Sequence, residues 1–164
     1  MSAEKSFLAL DLGAESGRAV VGHLEDGRLR LEELHRFPNG PVRVLDSLHW
    51  DVLRLWSEIK TGLGLAGKVY GRELASIGLD TWGVDFGLVG RGDVILGNPY
   101  CYRDSRTSGM MEKAFRKFPR QEFYEITGIQ FMEINTVFQL MSMTEANHPL
   151  LEAAETLLFM PDLF

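Results

Sequence analysis

The chain has 164 residues with 17 basic and 23 acidic side chains, a net charge of −6, and 45% hydrophobic against 24% charged residues, the composition of one ordinary globular domain with a sizeable core. Without a basic run, this acidic balance argues against nucleic acid as a partner, and no apolar run is long enough to span a bilayer. The start, Met1-Ser2-Ala3-Glu4-Lys5-Ser6, lacks the regions of a signal peptide, and the lone Cys101 has neither a disulfide partner nor metal-ligand spacing, so a reducing cytoplasm is the expected location, with no membrane contact.

Phe7-Leu8-Ala9-Leu10 is a short unbroken apolar run, read as a strand buried on both faces, and Arg18-Ala19-Val20-Val21-Gly22 resumes after a turn as its neighbour. Between them lies Asp11-Leu12-Gly13-Ala14-Glu15-Ser16-Gly17. Gly13 and Gly17 permit backbone conformations closed to other residues and bring N–H groups close to an anion, and the Ser16 hydroxyl adds a donor. Arg18 can fork onto phosphate oxygens, and Asp11, at the strand end, can hold Mg²⁺ or its waters. The same residues also suit a plain β-hairpin, since turns favour Asp and Gly.

Arg28 to Phe37 alternates with period two, as a third and partly exposed antiparallel strand, closed by Pro38-Asn39-Gly40-Pro41. From Asp51, a plausible N-cap, Val52, Trp56, Ile59 and Leu63 give a helix one apolar face, and Gly67 and Gly71 mark its exit. Ala75 to Asp80 is expected as a buried strand, returned parallel to the first by the crossover. A hairpin around Gly90 to Asp93 follows, then a helix from about Ser105 to Lys117, a short one over Gln121 to Ile126, and helical runs from Asn135 to Ala154 interrupted at His148-Pro149. Thr156 to Met160 reads as a buried strand and Pro161 to Phe164 as the first turn of a helix that stops short, which suggests a fragment of a longer chain. The four histidines show no partner pattern, and the seven methionines suit core or a buried domain interface.

The turns after Asp11 and Asp80 are expected to face a common crevice, which brings Trp82-Gly83-Val84-Asp85 into view. Trp82 suits a core position. Asp85 could accept bonds from two hydroxyls or be a strand-end acid paired with Arg103 or Arg106. Tyr102 to Thr107 has the alternating charges of a structural network, with Asp104 or Ser105 as a cap. Gln130 and Asn135, after Gly128, could serve as a solvated loop residue and a cap.

Asp11 to Arg18 resembles the first phosphate-binding turn of the FGGY sugar kinases, within the actin-like ATPase superfold. Ile77-Gly78-Leu79-Asp80-Thr81-Trp82-Gly83-Val84-Asp85-Phe86 and Tyr100-Cys101-Tyr102-Arg103-Asp104-Ser105-Arg106-Thr107 are similar to the branch that phosphorylates L-rhamnulose. So are His35-Arg36-Phe37, Gly128-Ile129-Gln130-Phe131 and Met160-Pro161-Asp162.

The resemblance implies an α/β, ribonuclease H-like domain whose mixed sheet has three leading antiparallel strands and parallel strands added by crossover helices. Residues 1–164 would be the N-terminal part of the first kinase domain, with a second domain absent. It further implies ATP and Mg²⁺ as cofactors, with Asp11, Gly13, Ala14, Glu15, Ser16, Gly17 and Arg18 at the phosphates and Asp11 at the metal. Trp82, Gly83, Asp85, Tyr102, Gln130 and Asn135 would be at the sugar, Tyr102 as an aromatic against substrate carbons. Glu15 departs from the small or hydroxylated residue commoner there and is expected to point outward. The implied reaction is transfer of the γ-phosphoryl group to the primary hydroxyl of L-rhamnulose, with the catalytic base, an Asp of the other domain, beyond Phe164. Kinases of another ketose or polyol, a non-catalytic sugar sensor and an actin-like ATPase are the alternatives. A truncated half would expose apolar surface and self-associate.

Overall fold

The computed structural model describes residues 5–164; the leading Met1 to Glu4, part of the stretch read as lacking a signal peptide, lie outside the described residues. The described residues form two compact units, one of residues 5–40, 51–82 and 164, the other of residues 41–50 and 83–163.

The first unit is a four-stranded sheet crossed by one long helix. Strands β1 (Lys5–Leu12), β2 (Ser16–Glu25) and β3 (Arg28–Pro38) form an antiparallel meander. Its second turn is Asp26-Gly27, both at positive φ, the pairing that tight hairpins favour because their twist matches that of the strands. Further along the chain come the short strands β4 (Val42–Val44) and β5 (Ser47–His49), then helix α1 (Val52–Val69) and β6 (Leu74–Thr81). Helix α1 carries the chain across to β6, which lies parallel to β1, so the sheet order is β3-β2-β1-β6. The three leading antiparallel strands and the parallel fourth are thus as expected.

Two expectations change here. In β1 only alternate residues, Ser6, Leu8, Leu10 and Leu12, are buried, because α1 covers one face of the sheet; the strand is half-buried rather than buried on both faces. Strand β6 is the sheet's edge, mostly exposed, with Ile77 55% accessible, where a buried strand was expected; β1 flanks it on one side and, among the described residues, no strand of this sheet flanks the other.

The buried stripe of α1 is Val52, Leu55, Ile59, Gly62 and Ala66, spaced three, four, three and four. Trp56, expected inside, is 42% exposed. Small residues decide the rotation of the helix: a Cβ on Gly62 would sit 2.7 Å from the Ala19 Cβ, so the helix approaches the sheet through this glycine. The Asp51 side chain accepts from the Arg54 N–H at 3.0 Å and caps the helix, and Gly71, at φ +52, begins the turn leading to β6.

In the second unit, β4 and β5 pair as a hairpin that the sequence pattern did not single out, with the turn residue Leu45 at φ +53. A three-stranded antiparallel sheet, ordered β8-β7-β9, joins β7 (Phe86–Gly90), β8 (Val94–Ile95) and β9 (Ala154–Phe159). Strand β9 is half-exposed rather than buried; Phe159 is exposed and Met160 is the buried residue. Helices α2 (Met110–Lys117), α3 (Arg120–Thr127), α4 (Thr136–Glu145), α5 (Leu150–Ala153) and α6 (Met160–Leu163) complete it.

The helix expected from Ser105 is interrupted: a single 3-10 turn, Ser105–Thr107, precedes α2, and Gly109 at φ +74 separates them. Met110, Ala114 and Phe138 form a small core where α2 and α4 meet. Around it Phe115, Phe123, Phe131 and Phe138 pack with ring centroids 4.9 to 6.3 Å apart, mostly edge to face. Among the described residues no helix is long and apolar enough to cross a membrane.

Candidate functional site

In the first unit, Asp11 and Asp80 are register partners on parallel strands, so the turns that follow them leave the sheet at the same edge. The Asp11 turn is closed by the Gly13 N–H donating to the Ser16 carbonyl at 2.8 Å. Asn39 fastens it from outside. Its side-chain amide donates to the Gly13 carbonyl at 2.8 Å and its backbone N–H to the Glu15 carbonyl at 2.9 Å.

Neither Gly13 nor Gly17 has a positive φ, so conformational freedom is not what requires them. Space is. A Cβ on Gly13 would lie 2.9 Å from the Ser16 carbonyl oxygen, and one on Gly17 would fall 2.2 to 2.9 Å from the Phe37 ring.

Arg18 donates from both Nε and Nη2 to Asp11 Oδ2 at 2.8 Å, each side chain somewhat under half exposed. Across the sheet, Arg18 faces Arg36, whose guanidinium is paired with Glu33 and reaches the Ser16 hydroxyl at 3.4 Å. The Glu33 hydrogen bond holds Arg36 more strongly protonated and lowers the Glu33 carboxyl below its ordinary range. Each arginine therefore has its own acid, which relieves the like-charge repulsion between facing positions. Ala14 is half-buried in the turn, and Glu15 is exposed. Asp11 as a lone carboxylate suits Mg²⁺, which binds through one or two carboxylates plus substrate phosphates; among the described residues no group of three or more acidic, His or Cys side chains could hold an ion alone. Trp82, half-buried, ends this unit, its carbonyl accepting from the Thr81 hydroxyl at 3.0 Å.

The second unit holds the other candidates. Gly83 is exposed, has no positive φ, and a Cβ there would meet nothing within 4 Å; the fold itself does not demand glycine. Val84 does carry strain: φ is +71, an outlier for a β-branched residue. Its carbonyl is held by the Thr136 hydroxyl at 2.8 Å and by Gln139 Nε2 at 3.3 Å.

Asp85 is completely buried. Its Oδ2 accepts from Trp50 Nε1 at 2.5 Å and the Tyr102 N–H at 3.2 Å, and its Oδ1 from Gln139 Nε2 at 2.9 Å. Neutral donors are among the groups that hold this buried carboxylate, and hydrogen bonding is the condition under which burial of a charge is tolerated. Gln139 passes the chain on, accepting from Arg106 Nη2 at 2.6 Å. The Arg106 guanidinium lies 4.1 Å from the Tyr100 ring centroid, and burial lowers its proton affinity.

Asp104 caps the 3-10 turn through the Arg106 N–H at 2.9 Å and also accepts from the Leu48 N–H at 2.7 Å. Cys101 is buried beside this network, with its thiol pushed up by desolvation. Tyr102 stays half-buried, 6.2 Å from the Trp50 ring, with the Arg103 guanidinium 5.2 Å from its centroid.

Gln130 is exposed along an open cavity of about 850 Å³ with Arg120, Gln121, Tyr124, Gly128 and Phe131. Asn135 sits at the N-cap of α4 and its Nδ2 donates to the Gln130 carbonyl at 3.0 Å. The structure therefore brings Gly83, Asp85 and Tyr102 together around one buried carboxylate and joins Gln130 to Asn135. Sequence reasoning missed Asn39, Trp50, Thr136 and Gln139; their signal is pairing across long sequence separations, which a single sequence does not display.

No family model matches the chain. Among curated proteins it is similar to a rhamnulokinase from Bacteroides thetaiotaomicron, 45% identical over 159 residues, which are 97% of this chain and 33% of the relative. A rhamnulokinase from Oceanobacillus iheyensis is 42% identical over 155 residues, 94% of this chain and 33% of the relative. Among solved structures, a gluconate kinase from Lactobacillus acidophilus superposes with a TM-score of 0.79 at 14% identity, over 95% of this chain and 31% of that one. The fold is that of the sugar kinases. A xylulose kinase from Lactobacillus acidophilus agrees, with a TM-score of 0.78 at 15% identity over 93% of this chain and 31% of that one. The expected sugar-kinase fold within the actin-like ATPase class therefore holds, and the chain spans about a third of the length of the curated relatives it matches.

Proposed function

We propose that this chain is the N-terminal part of an ATP-dependent kinase that phosphorylates the primary hydroxyl of L-rhamnulose, giving L-rhamnulose 1-phosphate. The observation that carries this reading is the 45% identity to a rhamnulokinase over 97% of the chain, with the phosphate turn and the Gly83 segment both inside the matched stretch.

In the first unit, Gly13, Ala14, Glu15, Ser16 and Gly17 form the turn that receives the nucleotide phosphates, and Arg18 supplies a fork for their oxygens. Asp11 holds Mg²⁺, which neutralises charge during transfer. In the second unit, Gly83 gives the sugar access to backbone, Tyr102 packs on its carbons, and Gln130 and Asn135 bond its hydroxyls; Trp82, at the end of the first unit, offers an apolar face. Asp85 serves the sugar by holding the Tyr102 backbone directly and the Val84 carbonyl through Gln139, because its oxygens accept bonds from within the fold. The proton acceptor for the sugar hydroxyl, the adenine pocket and a second domain belong to sequence outside these residues, and the site of action is the cytoplasm.

The test is a coupled ATP-consumption assay on a protein of the relatives' length with L-rhamnulose, L-fuculose, D-xylulose and glycerol, beside residues 1–164 alone. Turnover with L-rhamnulose in the long protein and none in the short one is expected. Absence of turnover by the long protein with every sugar refutes the kinase reading.

A further inference from the structure

At the Asp11 turn a residue from outside sets where the backbone dipoles point. Asn39 follows β3 and is half-buried. Its Nδ2 donates to the Gly13 carbonyl at 2.8 Å, its backbone N–H to the Glu15 carbonyl at 2.9 Å, and its Oδ1 accepts from the Gly40 N–H at 2.9 Å. The last of these bonds fixes the amide's orientation, because an oxygen facing the Gly40 N–H leaves Nδ2 for the Gly13 carbonyl. Asn39 is steadied in turn by α1, from which Arg54 Nη2 donates to the neighbouring Pro38 carbonyl at 2.5 Å. All of these residues lie in the first unit.

In a planar trans peptide the carbonyl and the N–H of the next residue point in opposite directions, and among the described residues no peptide bond is cis. Drawing the Gly13 and Glu15 carbonyls toward Asn39 therefore turns the N–H groups of Ala14 and Ser16 away from it.

The two bonds differ in what they ask of position 39. The Glu15 bond continues the β2–β3 ladder past the Ser16–Pro38 pair, and any residue except proline could make it. The Gly13 bond needs a side-chain donor of this reach. Gly13, with no Cβ, leaves its peptide plane freer to rotate than any other residue would, so the direction of the Gly13–Ala14 plane depends on that bond. For a bound anion the direction matters: an N–H facing it attracts, and a carbonyl oxygen in the same place repels.

We propose that Asn39 is a positioning residue of the phosphate turn: by holding the Gly13 carbonyl on the outside, its side chain aims the Ala14 N–H at a phosphate oxygen of the nucleotide. This rests on the kinase reading above. Asn39 acts through one peptide plane and has no part in holding the sugar.

Isothermal titration of a protein of the relatives' length with ATP and, separately, with L-rhamnulose tests it. Asn39→Ala is expected to weaken ATP by about 10-fold, the worth of roughly one hydrogen bond to a charged group, and to leave the sugar within about twofold. Asn39→Asp, of the same size and still able to accept from the Gly40 N–H, has no donor for the Gly13 carbonyl and is expected to lose at least as much ATP affinity; it carries the test if the alanine variant does not fold. In the coupled assay the loss falls on KM for ATP, with KM for L-rhamnulose unchanged. ATP affinity unchanged in Asn39→Ala, lost only in Asn39→Asp as a bare charge effect would be, or lost together with affinity for L-rhamnulose, overturns the positioning role while sparing the kinase reading. A parent protein that binds no ATP refutes the kinase reading and the positioning role with it.

Discussion

Gly17→Ala is the perturbation whose outcome the structure determines most closely. Gly17 is the register partner of Phe37 across β2 and β3, and an added methyl group would fall 2.2 Å from the ring's Cζ and 2.6 Å from Cε2. The ring has little room to yield: Phe37 is 5% exposed, and its centroid lies 5.5 Å from that of His35. Overpacking of this kind costs about 1–3 kcal/mol. For a domain of this size each kcal/mol moves the unfolding midpoint by roughly 2–4 °C, so Gly17→Ala is expected to lower the midpoint by several degrees in differential scanning calorimetry. Phe37→Leu, which shortens the opposing side chain, is destabilising alone but should recover part of the loss in the double variant, with a coupling of about 0.5 kcal/mol or more. An unchanged midpoint in Gly17→Ala, or strict additivity in the double variant, would refute the claim that space against Phe37 requires this glycine.

The remaining predictions follow the same logic. Asp85→Asn keeps one acceptor oxygen and turns an amide N–H either on the Trp50 and Tyr102 donors or on the Gln139 donor, and should cost about 1–3 kcal/mol in urea denaturation, as for other unsatisfied buried groups; a loss under about 0.5 kcal/mol would contradict the assigned bonding. Within α1, Gly64→Ala meets nothing within 4 Å and should raise stability by about 0.5–1 kcal/mol, whereas Gly62→Ala meets the Ala19 Cβ at 2.7 Å and should forfeit that gain. Equal gains at both positions would contradict the close approach of the helix. Glu145, bonded to Lys113 at 2.6 Å and Lys117 at 3.4 Å, has its carboxyl lowered chiefly by the Lys113 hydrogen bond. Its contribution is complete above the unfolded value of about 4.3 and fades as pH falls through the lower folded value; a carbon-13 titration finding the Glu145 midpoint at or above about 4.3 would contradict it.

Much of the fold was legible because its signals are local. The apolar runs around the Asp11 turn, the period-two stretch ending at Phe37 and the α1 periodicity each declare their element within a dozen residues. What escaped depends on contacts between distant residues. Trp56 rather than Leu55 was read into the apolar face because hydrophobicity favours the indole, whereas close packing at Gly62 and Ala66 turns the face by one residue. Strand β6 was read as buried from its composition, but burial depends on what flanks the edge. In the candidate site the phosphate turn and the Gly83 segment were visible as motifs. The partners of Asp85 were not: Trp50 and Gln139 lie 35 and 54 residues away, too far apart in sequence for a local pattern to join them.

The Asp11–Arg18 turn also shows how a segment can be charged without being strained. Arg18 and Arg36 face one another across β2 and β3, and each is neutralised by its own acid, Asp11 or Glu33. Exposed pairs of this kind are worth at most about 1 kcal/mol, so the Arg18–Asp11 pair is readily exchanged for stronger partners. On the proposed reading, an arriving nucleotide does that exchange: its phosphate oxygens take the Arg18 guanidinium, and Mg²⁺ takes the Asp11 carboxylate. Both groups trade one counter-charge for another and neither is left bare. Asp11→Asn therefore removes two things at once, the ligand for the metal and the group that positions Arg18. Arg18→Ala leaves Asp11 free for the metal and removes only the phosphate fork. The aspartate variant should accordingly lose more nucleotide affinity in the presence of Mg²⁺ than in its absence, and the arginine variant should lose affinity by a similar factor in both conditions. Isothermal titration of a protein of the relatives' length with ATP, with and without Mg²⁺, separates the two roles, and equal Mg²⁺ dependence in both variants would remove Asp11 from the metal.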